Sequence, residues 1–296
     1  MPSIDALADE VRRADRSAYL ALLFAPEAAR PALTALAAYR LELQRIVARV
    51  GEPLAAEIRL QWWRDAIRGE GYGDVAGVAL VDALREGMAR YGWPADTLCA
   101  VSEAHIHDLY ADPFDTPDAF DGYAGETEGA LTQLAAMALG VEALGEEAGL
   151  AAARTAATAS GYAGVVLTGA RALMDAGSAL AAGRTLIPAS LWTGGAPALA
   201  AALASGRMPE GADAALAALA AHTIEADAHM RQLAPAIDAS VRAAFVRAFA
   251  AAPVLANAAR SPHSVARPGP LKTQWHIWRA ARTLRSLRRD SRNMKA

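Results

Sequence analysis

Residues 146–182 read EEAGLAAARTAATASGYAGVVLTGARALMDAGSALAA, and this stretch decides the fold class. It contains no proline, and its apolar side chains recur three and four residues apart, the spacing of one face of an α-helix. Alanine, which has the best intrinsic helix propensity, supplies much of it. The stretch predicts a long helix from about Glu146 to Ala182. Gly183 stops it and Pro188 follows shortly after, because glycine accepts the left-handed turn that ends a helix and proline cannot continue one.

Outward from this stretch the pattern repeats. Helices are predicted over 3–24, 31–50 and 54–68, with Pro26, Pro31, Gly51 and Pro53 marking their ends and Gly69-Glu70-Gly71-Tyr72-Gly73 forming a turn. Two more follow, split by Gly92-Trp93-Pro94. Thr116, with Pro117 behind it, caps a helix running toward Leu139, and Gly140 and Gly145 punctuate the next turn. Residues 193–210 read as a surface loop with a short helical piece, and 211–232 and 235–251 as helices. A connector over 260–270, with Pro262, Pro268, Gly269 and Pro270, leads to a last helix from Leu271. No run reads as a strand. The expectation is an all-α bundle with any ligand space between its helices. Residues 1–260 form a single all-helical domain and 261–296 a connector and basic C-terminal helix.

Composition excludes several function classes. With 54% apolar and 21% charged residues, the chain of 296 residues has the means to bury a core and is not disordered. A net charge of −3 excludes a globally basic nucleic-acid binder. The single cysteine, Cys99, excludes an internal disulfide or a cysteine zinc cluster, fits a reducing compartment, and reads as an inert core thiol. Charges at Asp5, Asp9, Glu10, Arg12, Arg13 and Asp15 leave no secretory apolar region. The longest uncharged stretch, Thr185 to Gly206, is broken by Pro188, Gly194, Gly195 and Pro197 and makes a poor spanning helix. The expected location is cytoplasmic, at most peripheral to the inner membrane.

Three segments carry a resemblance. One is Ala38-Tyr39-Arg40-Leu41-Glu42-Leu43-Gln44-Arg45-Ile46-Val47-Ala48, followed by Arg59-Leu60-Gln61-Trp62-Trp63-Arg64-Asp65. The others are Tyr123-Ala124-Gly125-Glu126-Thr127-Glu128-Gly129 and Gly183-Arg184-Thr185-Leu186-Ile187-Pro188. In order and spacing these resemble the squalene/phytoene synthase family. The resemblance implies an isoprenoid-synthase-like helical bundle around a central cavity. Catalytic members carry D-D-x-x-D on one helix and N-x-x-R-D-x-x-x-D on a facing one, and these carboxylates hold Mg²⁺ against the diphosphate of a prenyl substrate.

This sequence departs from that pattern. The positions corresponding to the first motif's carboxylates are Gln44, Arg45 and Ala48. In the second motif the Asn position holds Arg171, the first Asp is kept as Asp175, and the second is Ala179. One carboxylate does not hold a magnesium cluster, and arginines repel it. The loss resembles the family's non-catalytic branch, that of NADH:ubiquinone oxidoreductase (respiratory complex I) assembly factor 6, which also has the Arg59–Asp65 run. That branch implies respiratory complex I subunits as partners and no cofactor.

Other residues have alternative readings. Arg45, Arg171 and Arg184 make a candidate anion or lipid site, since the guanidinium fork suits phosphate. The alternative is surface pairing of Arg171 with Asp175 and of Arg45 with Glu42. The resemblance places Tyr39, Trp62, Trp63, Tyr123, Gly125, Gly129 and Val166 around the cavity, and core packing is the alternative for each. His105 and His107 face different ways on a helix, while His222, Glu225 and His229 share a solvated face, so no metal site is assigned. The last helix carries Trp275 and Trp278, with Ile277 between them, and a basic face of Arg282, Arg285, Arg289 and Arg292. Such a helix lies on an anionic membrane surface or docks a partner, or it packs by its tryptophans.

Three functional readings result. The first is a non-catalytic assembly or scaffold factor for respiratory complex I at the membrane face. The second is a prenyl-diphosphate transferase with relocated ligands among Glu42, Glu126, Glu128 and Asp175, which alone of the three needs magnesium. The third is an isoprenoid- or lipid-binding protein.

Overall fold

The computed structural model describes residues 4–49, 52–70, 78–110, 112–206, 211–262 and 265–293, and among them there are helices and no strand. The first part holds α1 (Ile4–Ala14), α2 (Arg16–Leu22), α3 (Arg30–Arg49), α4 (Pro53–Arg68), α5 (Ala79–Tyr91) and α6 (Ala95–Ala104). Next come α7 (Pro117–Ala124), α8 (Ala130–Leu144), α9 (Glu146–Thr155), α10 (Ala157–Ala181), α11 (Gly195–Ser205) and α12 (Ala212–Leu233). The chain closes with α13 (Val246–Ala250), α14 (Ala252–Arg260) and α15 (Pro270–Asn293).

The bundle matches the all-α expectation, with local differences that have physical causes. The first predicted helix divides at Asp15, whose side chain leaves the helix to accept from the Ala18 amide at 2.9 Å and caps α2. The long run from Glu146 divides at Ala156 into α9 and α10. The helix starting behind Thr116 passes through one wider π turn, Gly125–Gly129, before continuing as α8. Gly140 lies inside α8 rather than in a turn: a Cβ there would sit 2.4 Å from the Gly149 carbonyl, so α8 and α9 meet backbone to backbone. The predicted helix over 235–251 breaks into short 3₁₀ turns and α13, and α14 fills the stretch left unassigned between that helix and the connector. The turn at 71–73 lies outside the described residues.

Two cores stabilise the bundle. Around α3–α6, large side chains interlock: Tyr39, Leu43, Leu60, Ile67 and Leu84 are fully buried. Around α10, α12, α13 and α15 the core is rich in alanine, with Phe120, Phe245, Trp192 and Phe249 among its large members. The basic C-terminal helix belongs to this second core, through buried Ile277, Ala280, Ala281 and Leu284. The prolines near 262–270 therefore mark a bend, not an edge of the packed unit.

Candidate functional site

Helix α3 shows how one sequence serves two environments. Its Leu36, Tyr39, Leu43 and Ile46 enter the first core, while Arg40, Gln44 and Ala48, four apart and hence on one face, border cavities. Opposite stands α10, with Arg171, Asp175 and Ala179 at the same spacing. Between these helices, the segment 182–186 and residues 107–110 lies a cavity of about 370 Å³. A second cavity of about 540 Å³ extends toward α13 and α15, and Gln44, Arg171, Asp175 and Arg267 border both. Small side chains at Ala48, Ala172, Ala176 and Ala179 leave the first cavity open.

The end of α10 is fixed by backbone geometry. Gly183 takes the left-handed conformation (φ 69°) and the Arg184 amide donates to the Ala179 carbonyl at 2.9 Å, the glycine-terminated ending that satisfies the last free carbonyls. Arg184 then reaches across to the Val47 carbonyl at 3.3 Å, tying the ends of α10 and α3 together.

Two charged networks border the larger cavity and its neighbour. In one, Asp15, Arg40, Glu128 and Arg247 alternate in sign around a ring. The distances are 2.6 Å from Arg40 to Asp15, 3.6 Å from Arg40 to Glu128, 3.0 Å from Arg247 to Glu128 and 3.7 Å from Arg247 to Asp15. Burial alone would raise both carboxyls. The two arginines outweigh it, so Asp15 is held well below the usual carboxylate range and Glu128 is also lowered. The Nε atoms of Arg40, only 5% exposed, and of Arg247 have no partner.

In the other network Asp108 accepts from His105 Nδ1 at 2.7 Å and from the Tyr123 hydroxyl at 2.7 Å. Burial, reinforced by Asp108, pushes the Tyr123 phenol well up, so it stays neutral. Arg171 donates from Nη2 to that hydroxyl at 3.4 Å, and its Nε, shielded from solvent, has no partner. Burial lowers His107, whose neutral ring stacks on Phe114 with centroids 4.0 Å apart.

The structure thus brings Gln44, Ala48, Arg171, Asp175, Ala179 and Arg184 to one cavity and leaves Arg45 outside it. Arg45 pairs with Glu42 at 2.7 Å and with Glu10, on the side of α3 that faces α1, so it is not part of an anion site there. Arg171 does not pair with Asp175, which instead holds Arg267. Most residues assigned to the cavity wall pack elsewhere. Tyr39 donates to the Leu98 carbonyl at 2.9 Å and lies against Trp63; Trp63 is buried in the first core with Trp62 at its edge. Val166 is buried in the second core, and Gly129 and Gly125 shape the π turn where α10 crosses it. At that crossing a Cβ on Gly164 would meet the Ala124 carbonyl at 2.3 Å. Tyr123 stands behind the wall, holding Asp108 and Arg171 in place.

Sequence reasoning missed the ring of Asp15, Arg40, Glu128 and Arg247. Part of its signal was present: Arg247 is a single charge inside an apolar run, and Arg40 ends an uncharged run from Pro31 to Tyr39, where a charge needs a buried partner.

On α15, Trp275 and Trp278 stack on each other with centroids 4.9 Å apart and are 54% and 38% exposed. Arg282 lies over Trp278 at 4.8 Å. Ile277, by contrast, is buried, and Arg285 lies over the Phe24 ring at 5.5 Å rather than standing free. The Arg289 and Arg292 side chains lie outside the described residues.

The cavity's donor set does not fit a magnesium cluster. Gln44, Ala48, Arg171 and Ala179 supply no carboxylate, and Asp175 is bound to Arg267. Asp108 is committed to His105 and Tyr123. Among the described residues no group of three His, Cys, Asp or Glu side chains is placed to hold a metal. His222 instead contacts Asp121 at 2.7 Å and His229 stacks on Tyr162. Cys99 is buried. No helix among the described residues is long and apolar enough to cross a membrane.

Comparison with known proteins agrees with the geometry of the fold. The family model described as squalene/phytoene synthase matches residues 11–279. The crystal structure of squalene synthase HpnC from Alicyclobacillus acidocaldarius superposes with a TM-score of 0.67 at 18% identity, covering 88% of this chain and 94% of that one. A dehydrosqualene synthase in complex with ligand superposes with a TM-score of 0.71 at 14% identity, covering 96% of each chain. No curated relative matches the chain.

Proposed function

Because the chain belongs to the squalene/phytoene synthase family and has the all-α isoprenoid-synthase fold, we propose that it is a member that has given up catalysis and serves as an assembly or scaffold factor. One observation carries the reading: the two facing helices that frame the cavity present Gln44, Ala48, Arg171 and Ala179, and the remaining Asp175 is taken by Arg267. Ionising an allylic diphosphate needs divalent metals to neutralise the leaving group. A site whose two carboxylates, Asp108 and Asp175, are both engaged, with Arg171 beside them, opposes those metals. The relocated-ligand alternative is weakened by the same geometry, since Glu42 pairs with Arg45 outside the cavity and Glu128 with Arg40 and Arg247.

Purified protein incubated with farnesyl diphosphate and Mg²⁺ should release no diphosphate and form no C30 product. Turnover above the rate of an R171Q/D175N double variant would sink the reading.

The assembly role is supported by α15, whose stacked Trp275 and Trp278 are exposed beside Leu271 and Arg282. Exposed tryptophans next to cations suit docking on a partner or an anionic membrane surface. On the resemblance of the Arg59–Asp65 run and the missing carboxylates, the partner we assign is respiratory complex I. Tagged protein should recover complex I subunits from membranes, and W275A/W278A should lose them; equal recovery by the variant would refute docking through this face.

A further inference from the structure

The chain segregates its charge. From Tyr91 to Ala153 there are twelve acidic residues and no lysine or arginine. From Pro270 to Asn293 there are seven lysines and arginines against the single Asp290. The fold gives each block a surface. The acidic block contributes an open groove of about 610 Å³ between α6 and α7. Glu103 and Glu126 border it, no lysine or arginine does, and Ala100, Ala104, Phe114 and Ala119 supply apolar lining. Glu103 is exposed, with Arg64 at 3.8 Å, and Glu126 is exposed on the π turn. Asp112, Asp115 and Asp118 are exposed on the segment that leads into α7.

The basic block contributes the outward face of α15. Its buried side rests on α2 and α13. Leu271, Trp275, Trp278 and Arg282, three and four residues apart, share the other side, and all four are exposed, as is Arg279. A stacked indole pair flanked by cations matches, in shape and sign, an apolar groove rimmed by carboxylates. We infer that α15 of one copy docks in the α6–α7 groove of a second copy. The two surfaces differ, so the contact is head to tail. Two tryptophans bury about 300–500 Å², well below the roughly 1,200 Å² at which stable interfaces begin, so the association is weak, reversible and screened by salt. The inference is independent of whether the cavity between α3 and α10 holds metal. A second copy and any other partner of α15 compete for Trp275 and Trp278.

The test is sedimentation velocity of the full-length protein over a wide range of concentration, at low and at high salt. The mass should rise with concentration at low salt and return to that of one chain at high salt. Glu103→Lys with Glu126→Lys, and Arg279→Glu with Arg282→Glu, all at exposed positions, should each weaken association about tenfold or more while keeping the wild-type melt. An equimolar mixture of the two double variants should associate again as a pair, because one retains its α15 face and the other its groove. Trp275→Ala with Trp278→Ala should stay monomeric. A single-chain mass at every concentration in low salt, wild-type association in either charge variant, or a mixture that stays monomeric would overturn the docking. So would a monomer that sediments with anionic vesicles through Trp275 and Trp278, which would assign the face to lipid instead.

Discussion

The two halves of the bundle fill space differently. Around α4–α6 and one face of α3, aromatic and leucine side chains close the core completely, with Trp93 donating to the Leu134 carbonyl and Tyr39 to that of Leu98. Around α10 the side chains are mostly alanine and glycine, helices approach to backbone contact, and what they leave open holds charge. Large side chains hold helices apart and occupy the gap. Small ones let helices touch at some points and leave cavities at others. The two adjoining cavities lie where this second half meets α3.

Substitutions in each half test this contrast. The largest effect is expected from Glu128→Ala, which leaves Arg40 and Arg247 to share Asp15 as their one remaining carboxylate in the ring. Breaking such a pair costs about 3–5 kcal/mol, read as a fall in the denaturation midpoint; a shift below about 1 kcal/mol would mean that water compensates the ring. In the closed half, Leu60→Ala at a fully buried position should cost about 2–5 kcal/mol. On the cavity wall, Ala179→Leu should change stability by less than about 1 kcal/mol, because its side chain enters open space. Equal destabilisation by the two changes would erase the difference between the halves.

Acid separates them as well. Asp15 and Glu128 titrate below their ordinary range in the folded protein. Their contribution is present above the unfolded-state pKa values of about 4 and is lost as pH falls toward the lowered folded values. The melting temperature should therefore drop between about pH 4 and pH 2, and Asp15→Asn should flatten that drop. An unchanged profile in the variant would show that the ring does not govern acid stability. The smallest effect is expected at Arg45→Gln, a partly exposed pair worth less than about 1 kcal/mol.

These differences also explain what the sequence disclosed. Helix content was legible from spacing and alanine, because those are local properties. The break at Asp15 was not, because a side-chain cap decides it, and no local pattern marks the one at Ala156. Gln44, Arg171, Asp175 and Arg184 were singled out through the resemblance to family motifs, and the fold gathers them around one cavity. Arg45 was misplaced because its neighbour Gln44 faces the cavity, and one residue along a helix turns the side chain by about 100°. The ring of Asp15, Arg40, Glu128 and Arg247 escaped notice because its members are far apart along the chain and no local pattern joins them.

The most direct test of the central claim is the thermal midpoint of the intact protein with farnesyl diphosphate, in EDTA and again with Mg²⁺. A ligand that binds the folded state raises the midpoint in proportion to its occupancy. A cavity that holds no metal predicts the same midpoint in both conditions. A rise that appears only with Mg²⁺ would mean that the cavity still holds metal, and would contradict the account.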